Sequence, residues 1–95
     1  MQETQAMNQE LHTLDDLQPG EEAVIAGYRD EIADELRILE MGLIIGSVVR
    51  LVKFAPFGDP IQIRVRGTDL SLRRALAKGI LTRPVHFEGY AQRRN

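Results

Sequence analysis

Residues 48–66, "VVRLVKFAPFGDPIQIRVR", set two β-rich runs on either side of a proline-bracketed turn. This pair constrains the fold more than any other stretch. In "PIQIRVRG", Ile61, Ile63 and Val65 alternate with Gln62, Arg64 and Arg66. A period of two puts the aliphatic set on one face of a strand and the polar set on the other. The earlier run, Val48 to Phe54, is rich in β-branched and aromatic side chains, which favour a pleated strand. Pro56 and Pro60 bracket Gly58-Asp59, a combination suited to a tight turn. An antiparallel hairpin with one apolar face is expected. Three more short strands follow the same logic: "EAVIAGY" at 22–28, "TDLSL" around Leu70 and Leu72, and "ILTRPV" at 80–85. The first breaks strict alternation, which implies burial on both faces or a bulge near Gly27. "RRALAKG" reads as one helical turn stopped by Gly79, and Leu14 and Leu17 as another before the Pro19-Gly20 turn,. The expected fold is therefore mainly β: a small barrel of about five strands with one inserted α-helix and a short helical turn. Closure would remove the free sheet edges that short chains otherwise leave open.

The inserted helix is expected over "RDEIADELRILEM", residues 29–41, where Ile32, Leu36 and Leu39 recur at i, i+4 and i+7,. Asp30 is placed to cap it, and Glu31 and Asp34 sit where the helix dipole favours anions. After Met41, Gly42 supplies the left-handed residue that ends many helices, and Leu43 is then expected to pack back against Ile38. Gly46 turns the chain into the next strand. Between the two glycines lie Leu43, Ile44 and Ile45. With Val49 and Leu51 inward, Val48 and Val52 face the other way beside Arg50. Ile44, Ile45 and Val48, rimmed by Arg37 and Arg50, are thus the candidate partner-binding patch. The competing account is that the N-terminal tail or the Leu14–Leu17 turn covers it, or that it forms a homodimer contact.

Ninety-five residues make one domain,, taken here as 13–86 between tails at 1–12 and 87–95. The chain has no cysteine, so disulfides and thiolate metal sites are out. Its start lacks the basic and apolar regions of a signal peptide. The longest charge-free apolar stretch, Met41 to Val49, is too short to cross a bilayer,. A cytoplasmic location is expected. Residues 1–40 hold eleven acids and two bases (−9) and residues 41–95 three acids and ten bases (+7), which sum to the net −2. Such a split can steer a charged partner if the halves form separate faces, and largely offsets if they interleave.

Catalytic signals are missing. Ser47 and Ser71 have no adjacent histidine or elbow motif, and no glycine-rich phosphate loop occurs,. No enzyme activity and no required cofactor are expected. Asp30 with Asp34 and Glu31 with Glu35 form i, i+4 carboxylate pairs that could offer hard oxygen ligands to Fe²⁺ or another divalent cation,. Helix N-termini collect acids for dipole reasons alone, so the pairs have a plain explanation too. Arg64, Arg66, Arg73 and Arg74 could track phosphates, but no interleaved aromatics offer stacking and the pI is about 5.6,. A nucleic-acid partner is not expected.

Three pieces in order, "LEMGLIIG", "APFGDP" and "IQIRVRGTDLSLR", together with "LDDLQPGEEAVIAGY", resemble the FeoA family over Leu14 to Val85. The resemblance makes Met41, Gly42, Leu43, Gly46, Gly58, Asp59, Pro60 and Gly67 the structural motif. It implies an SH3-like barrel with its helix between the first two strands. It further implies a non-enzymatic accessory of ferrous iron transport, docking on a FeoB-type membrane transporter with a GTP-binding domain and modulating it. The same domain also closes iron- and manganese-dependent repressors, so a metal-responsive regulatory module is the alternative. The short N-terminal tail leaves no room for a winged helix and favours the free-standing form. Two departures stand out: the family often has Pro in place of Ile45 and a polar residue in place of Val48. Both make this region more apolar.

Overall fold

The expected hairpin forms the centre of the sheet. The computed structural model describes residues 11–32 and 35–85; the tails at 1–10 and 86–95 and the candidate ligand Asp34 lie outside the described residues. Strand β3 (Val48–Phe54) pairs antiparallel with β4 (Ile61–Val65), and β4 with β5 (Thr68–Leu72). β2 (Glu22–Tyr28) lies on the other side of β3 and pairs in turn with β6 (Ile80–Pro84). A two-residue strand β1 (His12–Thr13) adds to β6, giving the order β1-β6-β2-β3-β4-β5. All pairings are antiparallel. The described residues form six strands rather than about five, in a sheet that is curled but unclosed among them. β1 and β5 remain its edges.

Two bulges curl the sheet. Between Ile25 and Gly27 the register of β2 against β6 slips, and between Leu51 and Lys53 that of β3 against β4. An extra residue in one strand raises the local right-handed twist, so one face becomes concave. Onto that face point Ile25, Val49, Leu51, Ile61, Ile63, Val65, Leu72 and Ile80, none more than 2% exposed. Each contributes about 2 kcal/mol by leaving water. The bulge near Gly27 accounts for the broken alternation of β2, and the alternation of β4 is reproduced residue by residue.

The mouth of the curl is closed by short turns. A 3₁₀ turn at Leu14–Asp16 buries Leu14, and Leu17 follows it into the core. Its start is a capping box: Thr13 Oγ1 accepts from the Asp15 N–H, and Asp16 accepts from the Thr13 N–H at 2.8 Å,. Helix α2 (Arg74–Ala77) is the expected single turn before Gly79. Gly79 does more than stop it. A Cβ there would fall 2.8 Å from Ile32 Cδ1, so the glycine lets the 30–32 turn lie directly on the chain.

The inserted helix departs from expectation. In place of one helix over 29–41 there is a 3₁₀ turn at Asp30–Ile32 and a five-residue helix α1 (Leu36–Glu40). Asp30 therefore does not cap α1; Glu35 precedes it, with no capping side-chain bond. The inward residue of α1 is Ile38, 2% exposed, whereas Leu36 and Leu39 are 64% and 52% exposed. The reason lies at the helix end. Its C-terminal lock fixes the rotation of so short a helix, and that lock points Ile38 inward.

Candidate functional site

The lock is built from Gly42, at φ +84°. Its N–H donates to Leu39 O at 2.9 Å, and the Leu43 N–H donates back to Ile38 O at 3.1 Å. This is the Schellman arrangement, with the apolar contact that accompanies it: Leu43 is fully buried and Ile38 nearly so. Tyr28 at the end of β2 donates its hydroxyl to Leu43 O at 2.6 Å. Beyond this anchor, Ile44 to Ser47 form a β-turn closed by the Ser47 N–H on Ile44 O at 2.9 Å, with Gly46 at φ +97° in its third position,. Two further bonds tie the turn to β2: Gly46 N–H to Ile25 O at 2.8 Å, and Ile25 N–H to Ser47 O at 2.9 Å. The backbone from Gly42 to Ser47 is thus held by these six hydrogen bonds. Ile45 occupies the second position of the turn, where proline is common, which explains the proline frequent there in the family that the motifs resemble.

The tip's side chains are not held. Ile44, Ile45 and Val48 are 40%, 58% and 46% exposed. They line a shallow groove of about 430 Å³ with Gly46, Ser47 and Arg66. The Leu14–Leu17 turn, one of the covers considered from sequence, packs instead against α2 and β6. Arg66 is the cation of the groove. With Gly67 it forms the two-residue turn between β4 and β5, at φ 55° and 80°. Arg37 and Arg50, expected as the rim, are exposed on α1 and β3 outside the lining, with Arg50 across from Glu22 and Arg64 in the sheet register. Sequence reading assigned Arg66 to a strand face. The signal missed was the dipeptide Arg66-Gly67 standing where a hairpin turn usually has Asn-Gly.

At the other end of the β3–β4 hairpin, Gly58 (φ +92°), Asp59 and Pro60 meet Arg74. Asp59 Oδ1 accepts from the Arg74 N–H at 3.1 Å, and Arg74 Nη1 donates to Gly58 O at 3.0 Å. Arg74 Nε donates to Asp15 Oδ1 at 2.6 Å, and its guanidinium lies 5.2 Å from the Phe54 ring centre,. Phe57, 97% exposed, projects from the same turn. The remaining arginines of the basic stretch do not form one cationic face. Arg64 is clamped by Asp69 at 2.7 and 3.2 Å, with Gln62 also donating to that carboxylate. The hydrogen bond from Arg64 holds the Asp69 carboxyl below its ordinary value, and the same bond raises Arg64. Arg73 is exposed ahead of α2.

The metal-ligand candidates fare differently from their helical premise. Asp30 and Glu31 sit on the 3₁₀ turn and Glu35 on the residue before α1, all exposed, so Glu31 and Glu35 are not neighbours on one helix face. Among the described residues no group of three or more histidine, aspartate or glutamate side chains is placed to hold a metal ion. Nor is any described helix long and apolar enough to cross a membrane.

The comparisons with known proteins agree with this architecture. The sequence profile of the FeoA domain matches residues 12–84. The chain is 38% identical over 61 residues to a Fe(2+) transport protein A/Fe(2+) transporter FeoB fusion protein of Porphyromonas gingivalis, a match covering 64% of this chain and 7% of that much longer one. Among solved structures, a FeoA-like protein from Clostridium acetobutylicum superimposes with a TM-score of 0.73 at 31% identity, covering 81% of this chain and 90% of the other. FeoA of Stenotrophomonas maltophilia, a prokaryotic SH3 domain protein complexed with zinc, gives 0.63 at 31% identity over 74% and 87%. The curled six-stranded sheet is SH3-like, its locked tip and Gly58-Asp59-Pro60 turn carry the motifs, and the chain belongs to the FeoA family.

Proposed function

We propose that this chain is a cytoplasmic accessory of ferrous iron transport that docks on a FeoB-type transporter through its tip and modulates the transporter's GTP-linked activity. The observation that carries the reading is the Porphyromonas gingivalis relative, in which a segment like this one and a FeoB transporter are parts of one polypeptide. Covalent fusion keeps the two at high effective concentration, the condition under which even a weak dock is occupied. The tip supplies the physical means. Ile44, Ile45 and Val48 form a contiguous apolar surface on a backbone that is already ordered, so docking costs little further conformational entropy. Arg37 and Arg50, exposed outside the groove lining, are its proposed outer contacts. On this reading the chain binds and makes or breaks no bond, and a divalent ion is the transporter's cargo.

The test is calorimetric titration of the chain against a full-length FeoB-type transporter in nanodiscs, with and without Fe²⁺, following GTP hydrolysis in the same samples. Saturable binding accompanied by a changed hydrolysis rate supports the reading. Absence of binding in both conditions removes it.

A further inference from the structure

Arg66 occupies a backbone conformation its side chain does not favour. Among the described residues it is the non-glycine position with positive φ. Two-residue hairpin turns of this kind take Asn-Gly, Asp-Gly or Gly-Gly, because short polar side chains or none tolerate the left-handed region and long ones do not. Among the described residues the fold gains no polar contact in exchange. Among the described residues the Arg66 guanidinium has no ion pair and no hydrogen bond, whereas Arg64, two residues earlier, is clamped by Asp69. The Arg66 stem instead passes Gly42, its Cδ 4.0 Å from where a Cβ on that glycine would stand, and the side chain joins Ile44, Ile45 and Val48 in lining the groove. Strain without internal return, at the margin of an apolar groove, points outward.

We infer that Arg66 is the specificity-determining cation of the tip, and that the groove receives an acidic–apolar stretch of polypeptide. A carboxylate of that stretch meets the guanidinium, and a neighbouring large aliphatic or aromatic side chain lies on Ile44, Ile45 and Val48. The charges favour this occupant. The lining contains one charged side chain, Arg66, and no carboxylate. Its planar fork matches a carboxylate in a bidentate pair. A basic segment would be repelled, and an anionic membrane surface calls for a cluster of several cations. This inference rests on the docking reading above and names the partner's chemistry.

Two arms keep the ideas separable. In the first, methyl and Arg66 Nε–H NMR signals of the full chain are followed while adding an acetylated, amidated hexapeptide of alternating leucine and aspartate. Its leucine–asparagine counterpart and phosphatidylserine vesicles are added in parallel. The aspartate peptide is expected to move Ile44, Ile45, Val48 and Arg66 together, and the asparagine peptide about tenfold less at equal concentration, the loss of one charge-assisted pair. In the second, Arg66→Gly and Arg66→Asn are titrated against the full-length transporter. Both variants relieve the left-handed strain, so melting temperature should rise while affinity falls about tenfold. Opposite signs for stability and binding are not what a merely structural residue would give. Equal responses to the two peptides, or a response to vesicles alone, overturn the inference. Wild-type transporter affinity in both variants overturns it while leaving the docking reading intact. A transporter that never binds, beside a specific aspartate-peptide response, removes the docking reading and leaves the Arg66 inference standing.

Discussion

The two ends of the β3–β4 hairpin use the same residue types to opposite effect. At the Gly58–Pro60 end, a positive-φ glycine and an arginine are absorbed into the fold: Arg74 bonds Asp15 and Gly58 O and lies against Phe54, and its backbone N–H bonds Asp59. At the tip, positive-φ glycines shape the backbone just as firmly, but Arg66, Ile44, Ile45 and Val48 stay open. Reach decides between the two outcomes. Asp15, 59 positions away in the chain, is delivered to Arg74 by the capped 3₁₀ turn, and no described carboxylate is delivered to Arg66. One end thus holds the fold together, and the other leaves its side chains exposed.

The largest expected effect breaks the closed end. Arg74→Ala removes two charge-assisted hydrogen bonds and a ring contact and leaves Asp15, whose side chain is 14% exposed, without its partner. A loss of about 3 kcal/mol is expected in urea denaturation, with affinity for the transporter unchanged in the folded fraction. Arg74→Lys recovers only part, since a point charge cannot reproduce the fork. Gly42→Val comes next. A β-branched residue at φ +84° should cost about 2 kcal/mol. Unlike Arg74→Ala, it should also weaken binding, because the Schellman lock sets the tip.

The smallest effect sharpens the contrast among arginines. Arg64→Gln releases Asp69, whose carboxyl is held below its ordinary value first of all by the Arg64 hydrogen bond. The pair's stabilisation is therefore complete above the ordinary carboxylate range and fades as pH falls through the lowered folded value. In the variant, the Asp69 carboxyl followed by NMR should titrate higher, back toward that ordinary value. Both side chains are exposed, so melting near neutral pH should hardly change.

Part of the fold behind this contrast was legible in the sequence, and the illegible part has physical causes. The alternation of Ile61, Ile63 and Val65 identified the core strand because period two survives any tertiary context that buries one face,. Gly42 announced the helix end because the signal is local. The helix itself misled. Ile32, Leu36 and Leu39 carry the right spacing, but a helix of five residues is rotated by its cap and not by its stripe, so Ile38 went inward. Arg74 gave no local sign of its role, since its partner Asp15 lies far off in sequence. Arg66 gave a faint one, a long side chain in a turn dipeptide, outweighed by the strand alternation that ran up to it.

The most direct test of the open tip is the affinity of Ile45→Glu for a full-length FeoB-type transporter, measured beside wild type by calorimetry. Ile45 is 58% exposed, so the change should leave stability within about 0.5 kcal/mol, and a buried charge in the dock should weaken binding tenfold or more. Wild-type affinity in a fully folded Ile45→Glu chain would contradict the account, because the apolar tip would then not be the surface that docks.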